Sequence, residues 1–173
     1  MAYAPEQAVV ILGTSRSDGN TRLAVERVLA GRPVKIVDLS KITVSAYDYS
    51  HKNAGDDFLP FIEEITAKQL WILATPVYWY TMSAQMKIFV DRLSDLITIR
   101  KDLGRALRGK AVAIVASGTD NLLPESFESP VRLTCEYLNM NYVGAFYSQF
   151  EKNDQPSPSL DASARAFGAI WLS

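Results

Sequence analysis

Short continuous apolar runs punctuate the chain at residues 8–13 (AVVILG), 34–38 (VKIVD), 69–75 (QLWILAT) and 111–117 (AVAIVAS), with a weaker one at 142–148 (YVGAFYS). Runs of this length without polar alternation predict strands covered on both faces. Between them the apolar positions recur at helical spacing. Leu23, Val28 and Leu29 share one predicted face, and Met86, Phe89, Val90 and Leu93 share another within residues 83–95. Residues 57–67, 125–138 and 160–172 are the remaining predicted helices. Strand and helix alternate along the whole chain, which predicts a parallel sheet with right-handed crossovers. The expected fold class is therefore α/β, a three-layer sandwich built on five strands.

The connections between these segments are short. Residues 45–57 (SAYDYSHKNAGDD) are polar and turn-rich, and residues 151–159 (EKNDQPSPS) read as a proline-bearing surface loop. Both look like connections inside one unit, and a length of 173 residues with 48% hydrophobic content suits a single domain over 1–173. Eighteen basic residues against nineteen acidic ones give a net charge of -1, without the basic excess that nucleic acid or an anionic membrane favours. The chain starts with MAYAPEQ, which has no basic segment leading into a long apolar one, and the apolar run after it is too short to span a bilayer. These features predict a cytoplasmic protein with neither a nucleic-acid nor a membrane partner.

In an open parallel sheet, ligands settle beyond the carboxyl ends of the strands where the winding direction reverses, so the loops after residues 13, 75 and 117 are the places to search. The first is GTSRSDGNT, residues 13–21. Gly13 permits unusual backbone angles, Thr14, Ser15, Ser17 and Thr21 carry hydroxyl donors, Arg16 adds a cation, and Asn20 is placed to cap the next helix. Free amides and the dipole at a helix start hold a phosphate without many charged side chains. Neither G-x-x-x-x-G-K-[ST] nor G-x-G-x-x-G occurs here, which argues against ATP and a Rossmann-bound dinucleotide. The second loop follows Pro76 with Tyr78, Trp79 and Tyr80, and Ser83 is placed to cap the helix beyond. Aromatics here either cover a flat ring or pack against the next helix or a second subunit. The third, ASGTDNLLPES at 116–126, brings Ser117, Gly118, Thr119 and Asp120; Asp120 either accepts from a ring N–H or caps a helix. A phosphate loop, an aromatic platform and a small polar clamp at three neighbouring strand ends describe a flavin mononucleotide site.

Two of these stretches carry a resemblance. GTSRSDGNT resembles the phosphate loop, and ATPVYWYTMSAQMKIFVDR at 74–92 the ring loop and following helix, of the flavodoxin-like NAD(P)H-dependent FMN reductases and quinone reductases. The second stretch is the more specific, and the resemblance reaches to about residue 121. It implies a flavodoxin-like fold with strand order 2-1-3-4-5. It also implies FMN phosphate on Ser15, Arg16, Ser17, Asn20 and Thr21, a flavin ring against Pro76, Val77, Tyr78 and Trp79, and Ser117, Gly118 and Asp120 near the ring's far edge. NAD(P)H is the implied co-substrate, a small molecule the implied electron acceptor, and a homodimer or homotetramer the implied assembly.

A related branch, the iron-sulfur flavoproteins, has clustered cysteines in the segment corresponding to 45–57. This chain has none there, and its one cysteine, Cys135, falls in a predicted helix where it is expected to pack as a small apolar residue. His51 has no second histidine and no cysteine nearby to make metal-ligand spacing and is expected to be solvated, so no metal site is expected. No G-x-S-x-G elbow or paired nucleophile is present, and no catalytic side chain is assigned, because the cofactor carries the chemistry. Arg100, Lys101 and Arg105 form a basic run, either solvated or facing a nicotinamide phosphate. Two other readings share the phosphate loop. One is a flavodoxin-type electron carrier, disfavoured by the near-zero charge; the other is a non-catalytic flavin- or phosphate-binding module.

Overall fold

A computed structural model describes residues 2–150 and 158–173, so most of the loop read at 151–159 lies outside the described residues. Five strands form one sheet: β1 (Ala8–Leu12), β2 (Lys35–Asp38), β3 (Leu70–Pro76), β4 (Ala111–Gly118) and β5 (Asn141–Gln149). All neighbours pair in parallel, in the order β2-β1-β3-β4-β5. This is the flavodoxin-like α/β arrangement, with the reversal of winding between β1 and β3. Every residue of β1 and β3 is buried, as their unbroken apolar runs require.

The two faces of these strands serve two helical layers. Val9, Ile11, Trp71, Leu73, Val112 and Ile114 pack with residues of α2 (Phe58–Ile65), α3 (Ala84–Arg92) and α6 (Glu125–Tyr137), including Phe58, Phe61, Met86, Phe89, Phe127 and Val131. The alternate residues Val10, Leu12, Ile72, Ala74, Ala113 and Val115 pack with Ala24, Val25 and Val28 of α1 (Asn20–Leu29) and Ala164 of α7 (Pro158–Trp171). On the second face a Cβ at Gly168 of α7 would sit 1.9 Å from the Val28 carbonyl oxygen, so only glycine lets α7 cross α1 there. None of the described helices is long and apolar enough to cross a membrane.

Several details differ from expectation. Leu23 is 37% exposed, and the buried face of α1 runs instead through Thr21, Ala24, Val25, Val28 and Leu29. The helix expected to reach residue 95 ends at Arg92 and is followed by two short helices, α4 (Asp95–Thr98) and α5 (Lys101–Ala106). Four and six residues are too few to show a period, and Gly104 sits where a Cβ would meet the Leu96 carbonyl at 2.2 Å. In the basic run, Arg100 bonds to Glu63 and Asp102 and holds the Asp102 carboxyl down to about 2. His51 is not a solvated residue: its Nδ1 lies 3.0 Å from Oδ1 of the buried Asp95, and its side chain is only 20% exposed. Cys135 is buried as expected.

Candidate functional site

The carboxyl ends of β1, β3 and β4 open onto one cleft of about 310 Å³. It is lined by Thr14, Arg16, Gly19, Asn20 and Thr21 from the first loop, Pro76, Val77 and Tyr78 from the second, and Ser117, Gly118 and Thr119 from the third. Two grooves of about 330 and 580 Å³ beside α3 to α6 are as large or larger, but no strand-end residue lines either. The convergence of polar donors singles out the cleft at the switch point.

The first loop is anchored at both ends. The Gly13 amide donates to the Ala74 carbonyl at 2.8 Å and its carbonyl accepts from Ser83 Oγ at 2.7 Å. A Cβ on Gly13 would stand 2.9 Å from Cβ and 3.0 Å from the amide nitrogen of Met86, so the loop can pass the first turn of α3 only as glycine. At the other end Gly19, not Asn20, is the N-cap of α1, and among the described residues no side chain bonds to the first-turn amides. Asn20 is the first helical residue and lines the cleft. The expected capping by Asn20 therefore does not occur, which leaves the amides at the start of α1 available to an anion.

Hydroxyls extend this donor set. Thr21 Oγ1 and Ser117 Oγ lie 2.8 Å apart, both residues buried, so α1 is tied to the end of β4 directly under the cleft. Ser15 and Ser17 do not line the cleft as it stands: Ser15 Oγ accepts from Gln85 Nε2 at 3.4 Å, and Ser17 Oγ lies 3.3 Å from Ser40 Oγ. Near them burial raises the Asp38 carboxyl, but bonds from Ser17 and Ser40 outweigh it and hold the carboxyl below its ordinary value.

The second loop turns on a two-residue hairpin. Tyr78 and Thr81 exchange backbone bonds of 2.9 and 3.1 Å, and Trp79 and Tyr80 between them have φ of 48° and 67°. Positive φ at both central positions is the geometry that Asn-Gly ordinarily fills, so the two aromatics sit there under backbone strain. Ser126 Oγ donates to the Tyr80 carbonyl at 3.2 Å and fixes the turn to α6. Tyr78 faces the cleft, whereas Trp79 is 92% exposed and does not line it. Of the two readings of these aromatics, packing of Trp79 against the next helix of the same chain is ruled out.

In the third loop Gly118 is hemmed in: a Cβ would lie 2.7 Å from the Tyr147 hydroxyl and 3.3 Å from Val77 Cβ. That hydroxyl donates to the Asp120 carbonyl at 2.8 Å. The N-cap of α6 is Pro124, so Asp120 does not cap that helix; Asp120 is exposed and is not among the residues lining the cleft. Gly19, as the residue before α1, and Thr119, next to the foreseen Gly118, also line the cleft. The sequence signal for Gly19 is the helix start it precedes, and Thr119 belongs to the small polar set that the third loop offers with Ser117, Gly118 and Asp120.

The arrangement offers an anion seat at one end, built from the start of α1, Thr14, Arg16 and Thr21, and a ring-sized wall of Pro76, Val77 and Tyr78 at the other. This is the division of labour a flavodoxin-like protein uses for a flat, phosphate-bearing cofactor. The chain belongs to the NADPH-dependent FMN reductase family, which it matches over residues 7–154. It is 32% identical over 120 residues to a Bacillus subtilis protein named as an NAD(P)H-dependent FMN-containing oxidoreductase, YwqN, with 65% of this chain and 66% of that protein covered. Among solved structures, the Trp repressor binding protein from Bacillus subtilis superposes with a TM-score of 0.75 at 23% identity, covering 92% of this chain and 96% of that one. An NADPH-quinone reductase from P. pentosaceus superposes with a TM-score of 0.64 at 18% identity, covering 94% and 97%. These two likenesses concern the fold. The family is one of oxidoreductases with FMN as cofactor and NAD(P)H as reductant.

Proposed function

We propose that this protein is an FMN-dependent oxidoreductase that takes a hydride from NAD(P)H and passes its two electrons through bound flavin to a small acceptor such as a quinone, a free flavin, an azo compound or a metal ion, with the protons taken up by the acceptor or released to solvent. The observation that carries the reading is the uncapped start of α1 facing the same cleft as Tyr78, at the point where the winding of the sheet reverses. The donor set fits FMN: amides without side-chain acceptors and hydroxyls at one end suit a phosphate, and a wall with no charged side chain suits a ring.

In this reading the amides of Asn20 and Thr21, the hydroxyls of Thr14 and Thr21, and Arg16 hold the phosphate, with Ser15 and Ser17 on the outer side of the loop. Pro76, Val77 and Tyr78 lie along the ring, Trp79 stands at the mouth, and Ser117, Gly118 and Asp120 border the far edge. When bound, FMN supplies the redox chemistry, taking up two electrons as hydride and releasing them to the acceptor. The protein's part is to orient the ring, present backbone amides toward developing negative charge, and leave the mouth open to NAD(P)H and acceptor in turn. No side chain is required as acid or base. The chain acts as one domain, in the cytoplasm, as a homodimer or homotetramer.

The test is anaerobic mixing of the FMN-loaded protein with NADPH or NADH. Loss of the yellow absorbance within seconds supports the reductase. Retained colour points to an electron carrier, and failure to bind FMN at all points to a module that binds phosphate only.

A further inference from the structure

Ser148 of β5 is completely buried, and its Oγ has no hydrogen-bond partner among the described residues. A buried hydroxyl without a partner is unfavourable and calls for a cause. Its position supplies one. Ser148 is the register partner of Ser117 on β4. Phe146 and Phe150, two residues to either side, pack in the core layer beneath α1, as do Ala113 and Val115 four and two residues before Ser117. Alternation along the strands puts Ser148 and Ser117 on that same face. Ser117 is in turn bonded to Thr21 at the start of α1. Three hydroxyls therefore run in a row from the edge strand to the anion seat.

The Thr21–Ser117 pair has a polarity. Two hydroxyls share one bridging proton, so either Thr21 donates to Ser117, or Ser117 donates to Thr21 and leaves the Thr21 proton to point elsewhere. Only the second arrangement frees the Thr21 O–H, at the start of α1, for the anion end of the cleft. In it, Ser117 Oγ has a vacant lone pair that a donor from Ser148 fills after a side-chain rotation. Hydrogen bonds in such a chain polarise one another in the same direction.

We infer that Ser148 is a positioning residue for the phosphate end of the flavin, acting through Ser117 to direct the Thr21 hydroxyl at the anion. This rests on the reading that the cleft holds FMN phosphate. The unpartnered hydroxyl of the free protein gains its partner when phosphate is bound, and the free protein carries the unfavourable state.

The experiment compares binding of FMN and of riboflavin, which lacks the phosphate, to wild type and Ser148→Ala, alongside the thermal midpoint of each protein without ligand. Ser148→Ala should weaken FMN binding about fivefold, the order of one hydrogen bond, leave riboflavin binding unchanged, and leave the unliganded midpoint unchanged or raised. Ser148→Cys, a near-isosteric side chain with a poor donor, should do the same and serves if the alanine variant folds badly. Ser148→Thr, which keeps the hydroxyl, should restore the preference for FMN over riboflavin. Unchanged FMN binding in Ser148→Ala overturns the inference. So does equal loss for both flavins with a lowered midpoint, which would mark Ser148 as packing alone. Should wild type bind neither flavin, or bind FMN no better than riboflavin, it is the phosphate reading itself that fails.

Discussion

Ser83 Oγ donates a 2.7 Å hydrogen bond to the carbonyl of Gly13, seventy residues away in sequence. The same oxygen accepts the Met86 amide at 3.2 Å, and the Ser83 amide donates to Thr75 Oγ1 at 2.9 Å, all in a fully buried position. One side chain thus caps α3, closes the end of β3 and holds the first residue of the loop that leads into α1. Ser83→Ala removes the cap and leaves a buried carbonyl unpaired, which should cost about 2–4 kcal/mol and weaken FMN binding as the loop loosens. Urea unfolding of the unliganded variant checks the first part. A loss below about 0.5 kcal/mol, the scale of an ordinary surface change, would show that the bond contributes nothing to the loop.

The two loop glycines should respond unequally. Gly13→Ala forces a Cβ to within 2.9 Å of Met86 Cβ and against its backbone, so the loop or α3 has to shift, at about 1–3 kcal/mol, and flavin affinity should fall with it. Gly19→Ala meets nothing closer than 3.5 Å and has φ of -80°, open to any residue, so its cost should stay near 1 kcal/mol or less. Equal destabilisation by both would contradict the close approach of the loop to α3.

Arg92 carries the polar loop at 45–57. Its guanidinium is fully buried, reaches Asp56 at 2.5 Å and Asp95 at 2.8 Å, donates to the Ser45 carbonyl at 3.1 Å and lies 4.6 Å from the centre of the Phe58 ring. Arg92→Met strands two carboxylates in a buried setting and should cost about 3–5 kcal/mol. The Asp56 carboxyl is raised by burial but lowered further by the Arg92 bonds and the Ser45 and Phe58 amides, so its net shift is downward from 3.8. A depressed carboxylate contributes stability that is complete above its unfolded value and lost as pH falls through the folded one. Acid unfolding of wild type should therefore steepen below about pH 4, and Arg92→Met should flatten that dependence. A variant with the same acid profile as wild type would exclude the pair as its source.

The contrast between legible and hidden features follows range. β1, β3 and β4 are readable because burial on both faces demands unbroken apolar runs, and the loops at their ends because small hydroxyl and amide residues there have a local reason. β5 is weaker because it is an edge strand, half-buried along most of its length, with a register shift opposite Val112 and Ala113. The partner of His51 is 44 residues away and that of Arg92 in Asp56 is 36 away, separations at which no local spacing hints at contact. Gly19 takes the N-cap in place of Asn20 for a similar reason: both residues suit a helix start, and one position decides which amides stay open.

On the proposed function one cleft serves both reductant and acceptor, so the two should bind in turn. Initial rates measured across NAD(P)H concentration at several fixed acceptor concentrations should give parallel double-reciprocal lines. Intersecting lines would require a complex holding both at once, and so a second binding position outside the cleft at the strand ends.

Electron transfer in this protein should proceed without its thiol. Cys135 is buried against the sheet, and burial pushes its thiol up to about 12, so at pH 8 almost none is thiolate. It is the sole cysteine in the chain, which makes alkylation a clean probe. Iodoacetamide should leave the folded protein unlabelled and its flavin-dependent NAD(P)H oxidation intact, while urea-unfolded protein takes up one equivalent. Mass spectrometry reads the label and absorbance reads the activity. Rapid labelling of the native protein with parallel loss of activity would place a reactive thiol in the redox path and count against a mechanism resting on flavin alone.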